Sequence, residues 1–406
     1  MKVAIVCDWL TNVGGAEKVL LEIHRLYPKA PIYTSKYSPS GIDWFSDAEV
    51  RTGWLQIFPS FMRRFLGPLR ARWFRKLDLT EYDLVISVTG AEAKCISRLK
   101  PGAKHISYCH APTQYYWQLY DTYVKNPGFG ILNPVVRFFF KLLVRPMRKK
   151  DFEGAKRVSE FVTISEYTRE LIRKYYKREA VVIHPPVEVN VFSNRNDLSR
   201  AASGRPIAMG GRRLSSRCRA PESLEKSYSV APYIVTSRQV NWKRLDLAVK
   251  ACVKMKRELI VIGEGPEHNK LVKMASGNEF VKFLPLMGRE ELAQYLSGAQ
   301  GYIFPSLEPF GIAPVEALAS GCPVIAYGAG GALDYVSDGK NGVLFEKQTV
   351  SSLCEAMEKF EKMEFDRMEV SKSADRFSTE RFDSEIRDFV KSAVKKLDKG
   401  ENEKIA

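Results

Sequence analysis

Two glutamates, Glu308 and Glu316, stand eight residues apart in the stretch that organises the chemistry this sequence could perform. An expected strand at 302–305 leads into it, and a helix is expected to begin near Gly311 and to stop at Gly321. The first turn of a helix presents unpaired N–H groups and a positive dipole end, which together bind anions. The stretch therefore predicts a ligand with both phosphate and hydroxyl groups, as in a nucleotide-sugar. Two solvated surface glutamates are the simpler alternative.

A basic pair, Arg238 and Lys243, lies where a strand that begins at Tyr233 is expected to give way to a helix near Trp242. An Arg and a Lys at such a junction can bracket a diphosphate, because the guanidinium binds two oxygens at once and the ammonium adds a compact charge. Taken alone, this spacing also fits an ordinary pair of surface charges.

His110 follows an expected strand at 105–108. The carboxyl ends of parallel strands are where such sheets carry their ligands, so His110 is a candidate site residue. A histidine that bonds neighbouring backbone is the alternative. The aromatic run 115–117 comes next, and it fits an acceptor pocket and core packing equally well.

Short apolar runs alternate with helical or polar segments, which is the pattern of an α/β fold with parallel sheets. The first run, Val3–Cys7, predicts a buried strand, and Gly14 and Gly15 separate it from a helix. Two glycines at this place let the backbone approach a ligand closely. The dinucleotide fingerprint Gly-x-Gly-x-x-Gly is absent from the turn, so a dehydrogenase loses support.

The composition is that of a globular protein, with 45% hydrophobic residues and enough length for two domains. Seven cysteines form no Cys-x-x-Cys pair, which argues against a zinc site or a disulfide framework and favours a reducing compartment. Asp8 ends the first apolar run, so a signal peptide is not expected there. No apolar run approaches the roughly 20 residues of a membrane span. We therefore expect a cytoplasmic protein.

The net charge of +16 is concentrated in three stretches, 51–77, 137–150 and 195–219. Aromatic-rich segments at 54–66 and 135–145 overlap the first two, and apolar bulk beside Lys and Arg is typical of segments that lie on an anionic membrane surface. Helices of the first domain with outward-snorkelling basic side chains are the alternative. No nucleic-acid-binding motif accompanies the charge, so nucleic acid is not expected as a partner.

The pattern Glu-x7-Glu, with Pro-Phe-Gly after Glu308 and Gly-Cys-Pro-Val after Glu316, resembles retaining glycosyltransferases of the GT-B, family-4 type, also called group 1. Three further motifs match that family: Arg238 with Lys243, the Gly-Gly-x-Glu loop of Gly14, Gly15 and Glu17, and the His-Ala-Pro that begins at His110. The resemblance covers nearly the whole chain except 194–230. That Ser- and Arg-rich segment is expected to be a loop or disordered insertion, or a sequence artefact.

The resemblance implies two Rossmann-like parallel-sheet domains that face each other across a cleft. Residues 1–190 would form the acceptor-side domain, 191–231 a linker with the insertion, and 232–378 the nucleotide-sugar-binding domain. The C-terminal segment 379–406 would be a helix that crosses back to the first domain.

The resemblance also implies a role for each candidate residue. The catalytic set would be Glu308, His110, Arg238 and Lys243, with the two basic residues on the leaving diphosphate and Glu308 and His110 at the donor sugar. The donor would be bound by Glu316 at the ribose, by Gly311 and Ile312 at the helix start, and by Gly263, Leu284 and Leu286 around the nucleoside. The loop of Gly14, Gly15 and Glu17 would face the diphosphate.

The expected co-substrate is a nucleoside diphosphate sugar, with no other cofactor. No Asp-x-Asp motif occurs in the chain, so no metal is expected. The segments 110–117 and 327–334 look most like those of mannosyltransferases that use GDP-mannose in polysaccharide assembly, and a UDP-sugar is the alternative. The acceptor would be a glycan or a lipid-linked saccharide. A non-catalytic, basic relative that binds membranes or polymers is a further alternative, with nucleic-acid binding third.

Overall fold

The computed structural model describes residues 1–59, 66–125, 127, 130, 133–193 and 231–402. The chain divides into two compact units, unit 1 with residues 1–186 and 380–406 and unit 2 with residues 187–379. Each unit is built around its own parallel sheet. The insertion predicted at 194–230 lies outside the described residues, and so do residues 60–65 of the first basic segment.

The strands of unit 1 are β1 (Val3–Cys7), β2 (Ile32–Thr34), β3 (Val50–Arg51), β4 (Asp78–Leu79), β5 (Leu84–Thr89), β6 (Arg98–Leu99), β7 (Lys104–Cys109), β8 (Glu160–Thr163) and β9 (Ala180–Val182). Seven of them form one sheet in the order β3-β2-β1-β5-β7-β8-β9, and β4 pairs with β6. All these pairings are parallel. The central strand β5 is buried along its whole length, because helices cover both faces of such a sheet.

The strands of unit 2 are β10 (Tyr233–Thr236), β11 (Leu259–Ile262), β12 (Val281–Leu284), β13 (Gly301–Phe304), β14 (Val324–Tyr327) and β15 (Gly342–Phe345). They form a six-stranded parallel sheet in the order β12-β11-β10-β13-β14-β15. The predicted α/β class with two parallel-sheet domains is confirmed.

Helices alternate with these strands. In chain order they are α1 (Gly15–Leu26), α2 (Gly67–Lys76), α3 (Tyr120–Lys125), α4 (Asn133–Arg157), α5 (Glu166–Tyr176), α6 (Val189–Phe192), α7 (Leu245–Met255), α8 (His268–Ala275), α9 (Arg289–Gly298), α10 (Ile312–Ala319), α11 (Ala332–Tyr335), α12 (Val350–Glu361), α13 (Arg367–Lys372) and α14 (Thr379–Asn402). Short 3₁₀ helices lie at Trp54–Ile57, Asn241–Lys243 and Asp375–Phe377.

Local sequence explains where helix α5 begins and which face of helix α14 is buried. Ser165 caps α5, and its Oγ accepts a hydrogen bond from the Thr168 N–H at 3.1 Å. Helix α14 buries Phe382, Ile386 and Val390, which recur every four residues and so lie on one face. These residues belong to unit 1, where the Phe382 ring lies 5.9 Å from the Tyr108 ring on β7.

Each sheet has a point where the strand order reverses. In unit 2 the chain leaves β10 for β11 and β12 and then returns to β13, which pairs with the other side of β10. In unit 1 the same reversal separates β1 from β5. Crevices open at the carboxyl ends of the strands at such points, and open α/β sheets bind their ligands there.

A buried histidine makes unit 1 sensitive to acid. His105 on β7 is fully buried, with Nε2 2.8 Å from Ser87 Oγ, and burial lowers its pKa to about 3. An unfolded histidine titrates near 6.5, so below that pH the unfolded chain binds a proton that the folded chain does not, and stability falls as the pH falls. Between pH 7 and pH 5 this loss should reach about 2 kcal/mol.

The measurement is urea unfolding of the wild type and of His105→Gln at pH 7 and pH 5. The wild type should lose more stability over this interval than the variant, whose side chain carries no proton to titrate. An equal loss in both proteins would show that His105 does not contribute.

Candidate active site

Three charged residues of unit 2 follow β10 and β13, the two neighbouring strands between which the strand order of this sheet reverses. We call this place the switch point of unit 2. Arg238 is exposed two residues beyond β10, and Lys243 ends the 3₁₀ helix that comes next. The Nζ atom of Lys243 lies 2.5 Å from Oε1 of Glu308, four residues beyond β13. Both side chains of this ion pair are less than one-fifth exposed. A helix does begin near Trp242 as predicted, but as the 3₁₀ helix Asn241–Lys243. The α-helix follows from Leu245, after Arg244 in a left-handed conformation with φ of +56°.

Two neighbours hold this ion pair in place. The hydroxyl of Ser306 donates to Oε1 of Glu308 at 2.7 Å. The Lys243 ammonium lies 4.5 Å from the centre of the Trp242 ring, a cation–π contact. The sequence interpretation missed both roles. The sequence offered one local indication of the cation–π contact, because Trp242 directly precedes Lys243.

The start of α10 depends on glycine. Gly311 is the N-cap residue with φ of +104°, and a Cβ there would lie 2.8 Å from a Phe304 ring carbon and 2.9 Å from the Tyr335 hydroxyl oxygen. The loop before α11 packs on the same connection, since the Gly331 N–H donates to the Glu308 carbonyl at 2.9 Å. Gly311 thus lets the chain turn sharply before the N–H groups of α10, and Gly331 lets the next loop approach closely, because a Cβ there would clash with Phe310.

Glu316 lies inside α10 and is buried, with 8% of its surface exposed, so it is not a solvated surface glutamate. Burial raises the pKa of the Tyr302 phenol, and the charges of Glu308 and Glu316 raise it further. The two glutamates therefore lie around one buried phenol, whose hydroxyl donates to the Thr236 carbonyl at the end of β10 at 3.0 Å.

The residues assigned to the nucleoside lie at the next two strand ends. The Gly263 N–H donates to the Leu284 carbonyl at 3.0 Å, which joins the ends of β11 and β12. Leu286 is 81% exposed. Buried Gln239 links this edge to β10, because its amide donates to the Gly263 carbonyl at 2.5 Å and its Oε1 lies 2.9 Å from His268 Nδ1. The sequence interpretation gave Gln239 no role.

In unit 1, Asp8 ties the ends of β1 and β5 together. Its buried carboxylate accepts from the Thr89 hydroxyl and from the N–H groups of Gly90, Ala91 and Ala93 at 2.8–3.0 Å. Helix α1 follows on the same side, with Gly14 as its N-cap and buried Glu17 in its first turn. Sequence patterns did not single out Asp8 as an anchor.

His110 directly follows β7 at this edge of the unit 1 sheet. Its N–H donates to the Thr89 carbonyl at 2.8 Å. The ring Nε2 is buried without a hydrogen-bond partner among the described residues, and burial lowers the pKa of His110 to about 4. The imidazole is therefore neutral at pH 7 and can exchange a hydrogen bond with a ligand.

The aromatic run after His110 packs into unit 1. The hydroxyls of Tyr115 and Tyr116 donate to Glu92, which also pairs with Arg70 at 3.0 Å. Arg70 is 3% exposed, so the basic stretch 51–77 is not wholly a surface patch. Its charge is used inside the fold, where Glu92 compensates it.

The arrangement in unit 2 combines positive charge with carboxylates around a helix start. Lys243, exposed Arg238 and the first N–H groups of α10 can bind a diphosphate, while Glu308 and Glu316 can accept hydrogen bonds from hydroxyl groups. Among the described residues, no three His, Cys, Asp or Glu side chains are grouped as metal ligands.

Two family models match this sequence. The one described as Glycosyl transferases group 1 covers residues 224–377, and the one described as Glycosyltransferase Family 4 covers residues 13–191. The chain belongs to these glycosyltransferases. This chain also resembles HepE of Anabaena, solved in complex with UDP, with a TM-score of 0.66 and 18% identity over 97% of this chain and 100% of that one. The predicted GT-B fold is confirmed.

Curated relatives share the family at modest identity. D-inositol 3-phosphate glycosyltransferase of Mycolicibacterium smegmatis is 28% identical over 176 residues, 41% of this chain and 36% of the relative. The GDP-mannose-dependent alpha-(1-6)-phosphatidylinositol monomannoside mannosyltransferase of the same organism is 28% identical over 213 residues, 48% of this chain and 50% of the relative. The matched part of this chain thus spans half or less of the length of these relatives.

Proposed function

We propose that this chain transfers a hexose, mannose from GDP-mannose, to a hydroxyl of a glycan or lipid-linked saccharide with retention of anomeric configuration. The observation that carries the proposal is the ion pair of Lys243 and Glu308 at the unit 2 switch point, beside the start of α10. A cation and a carboxylate in contact there suit a ligand that is anionic at the phosphates and hydroxylated at the sugar.

In the proposed reaction the bond between the anomeric carbon and the diphosphate oxygen breaks, and a bond to the acceptor oxygen forms on the same face. Negative charge grows on the diphosphate, and Lys243, Arg238 and the α10 N–H groups stabilise it. The acceptor proton passes to the leaving phosphate. Glu308 holds the sugar hydroxyls and Glu316 the ribose.

Unit 1 is proposed to contribute His110 and the loop of Gly14, Gly15 and Glu17. A neutral His110, whose buried Nε2 has no hydrogen-bond partner within the described part of the chain, suits a hydrogen bond to an uncharged sugar hydroxyl. Gly263, Leu284 and Leu286 are proposed to contact the nucleoside. Neither a metal nor a cofactor has a role in this proposal.

The mannosyl donor is supported by the similarity to the GDP-mannose-dependent relative over 213 residues. A UDP-sugar is the second candidate, because HepE, with the same fold, was solved with UDP. We propose a cytoplasmic protein that acts in polysaccharide or glycolipid assembly.

Thermal stabilisation by GDP, UDP, ADP and dTDP tests the donor site. A ligand at 100 times its dissociation constant adds about 2.7 kcal/mol to stability, enough to shift the unfolding temperature clearly. We expect GDP to give the largest shift. Glu316→Ala should lose it, because the ribose hydroxyls lose their acceptor.

Glu355→Ala is the matched control, since Glu355 is an exposed glutamate within helix α12 of the same unit. It should keep the wild-type shift. A UDP-selective shift that Glu316→Ala abolishes would replace GDP-mannose by a UDP-sugar. The absence of a shift with every nucleotide would contradict the proposed function.

A further inference from the structure

Helix α4 carries an apolar surface that faces solvent. Five of its side chains are exposed by 44–66%, namely Val135, Phe138, Phe139, Leu142 and Leu143. Their spacing of three or four residues places them in one stripe along the helix, which we call the α4 stripe. Monomeric soluble proteins rarely expose contiguous apolar patches unless these serve an interaction.

The opposite face of α4 is fixed to unit 1, so the stripe is held outward. Val144, Met147 and Asp151 are buried on that face. The Asp151 carboxylate accepts from the Trp117 indole at 2.7 Å, and Arg148 donates to the Tyr116 carbonyl at 2.6 Å. These contacts determine which side of the helix meets solvent.

Basic side chains border the stripe. Lys141, Arg145 and Lys149 are exposed at intervals of four residues, which places them in a row along one edge of the stripe. No acidic residue occurs between 133 and 150. The stripe and its basic edge together match an anionic surface with an apolar interior.

We propose that the α4 stripe docks this protein on a bilayer that contains anionic lipids, with the apolar side chains at the acyl boundary and the basic edge at the headgroups. Among the described helices none is long and apolar enough to cross a membrane, so the helix lies on the surface. A second copy fits less well, because its stripe would offer the basic edge no acidic partner, since none occurs between 133 and 150. The inference stands on α4 alone and does not rest on the proposed function.

Vesicle flotation with the full chain tests this inference. We expect binding to phosphatidylcholine vesicles that contain phosphatidylglycerol and little binding to pure phosphatidylcholine. Lys141→Gln with Arg145→Gln should weaken the partitioning about 30-fold, because each basic residue near the surface contributes about fivefold. Phe138→Ser with Leu142→Ser should weaken it at least about tenfold.

Matched controls lie on unit 2. Lys250→Gln with Lys254→Gln removes two exposed charges from α7, and Val272→Ser truncates an exposed apolar side chain of α8. Both should bind like the wild type, and all variants should keep the wild-type unfolding temperature.

Three results would overturn the proposal. One is equal flotation of wild type and both α4 variants. Another is a loss of flotation in Lys141→Gln with Arg145→Gln but not in Phe138→Ser with Leu142→Ser. That result would indicate binding to an anionic surface by charge alone, without contact of the apolar stripe. The third is that the wild type does not bind vesicles and instead sediments as a dimer, which Phe138→Ser with Leu142→Ser converts to a monomer.

Discussion

Lys243→Met should lower kcat for release of the nucleoside diphosphate by about 10²–10³-fold, the usual effect of removing one donor that faces developing charge. Methionine keeps most of the length and apolar stem of Lys243 and deletes the ammonium. It also leaves Glu308 without the partner that lies 2.5 Å away. The effect should fall mainly on kcat, because the diphosphate gains charge as the bond to the sugar breaks.

The measurement is nucleoside diphosphate release at saturating donor, with KM determined in parallel. Lys250→Met, an exposed lysine on helix α7, is the matched control and should leave both constants unchanged. Glu308→Gln should also lower kcat, and the double variant should lose less than the product of the two single losses, because the groups are in contact. An unchanged kcat in Lys243→Met would contradict the proposed role.

Lys94→Met should produce the largest loss of stability, about 3–5 kcal/mol, because it removes one partner of a buried ion pair. Lys94 lies 2.7 Å from Asp151, and both side chains are 1% exposed. Asp151 also accepts hydrogen bonds from Thr113, Trp117 and Tyr176. Without the ammonium, the buried carboxylate keeps these neutral donors but loses its countercharge.

Urea unfolding of the full chain, followed by tryptophan fluorescence, measures this loss. Lys100→Met is the matched control, since Lys100 pairs with Asp83 at 2.6 Å on the surface, and exposed pairs contribute about 1 kcal/mol or less. Lys94→Met with Asp151→Asn should regain part of the stability, because no net charge stays buried. Equal losses of stability in Lys94→Met and Lys100→Met would show that the buried pair stabilises the fold no more than the exposed pair.

Local patterns were sufficient for much of the fold. The strand Val3–Cys7 was predicted with the bounds that the structure has, because a short apolar run ended by a polar residue specifies a buried strand. The start of α5 also follows from residue type, because serine is a favoured N-cap and Ser165 accepts a hydrogen bond from the Thr168 N–H. Lys243 and Glu308 come into contact because each follows a strand and both strands end at one switch point.

The burial of several charged residues could not be predicted from such patterns. Charged residues usually lie outside, so nothing in the sequence showed that Lys94, Arg70 and Asp8 would be buried. Each depends on a partner far along the chain, which only the folded topology brings near. The contacts of Ser306 and Trp242 with the ion pair could not be predicted for a related reason. The direction of a side chain in a loop is determined by packing and not by periodicity.

The proposed function requires that this chain break the sugar–phosphate bond of a nucleotide-sugar at the unit 2 site with retention of anomeric configuration. Proton NMR of GDP-mannose incubated with the purified protein tests it most directly, with water in place of the acceptor. We expect slow release of GDP, with α-mannose appearing before its β anomer, and release about 10²–10³-fold slower with Lys243→Met. Inertness of both GDP-mannose and UDP-sugars, or β-mannose as the first product, would contradict it.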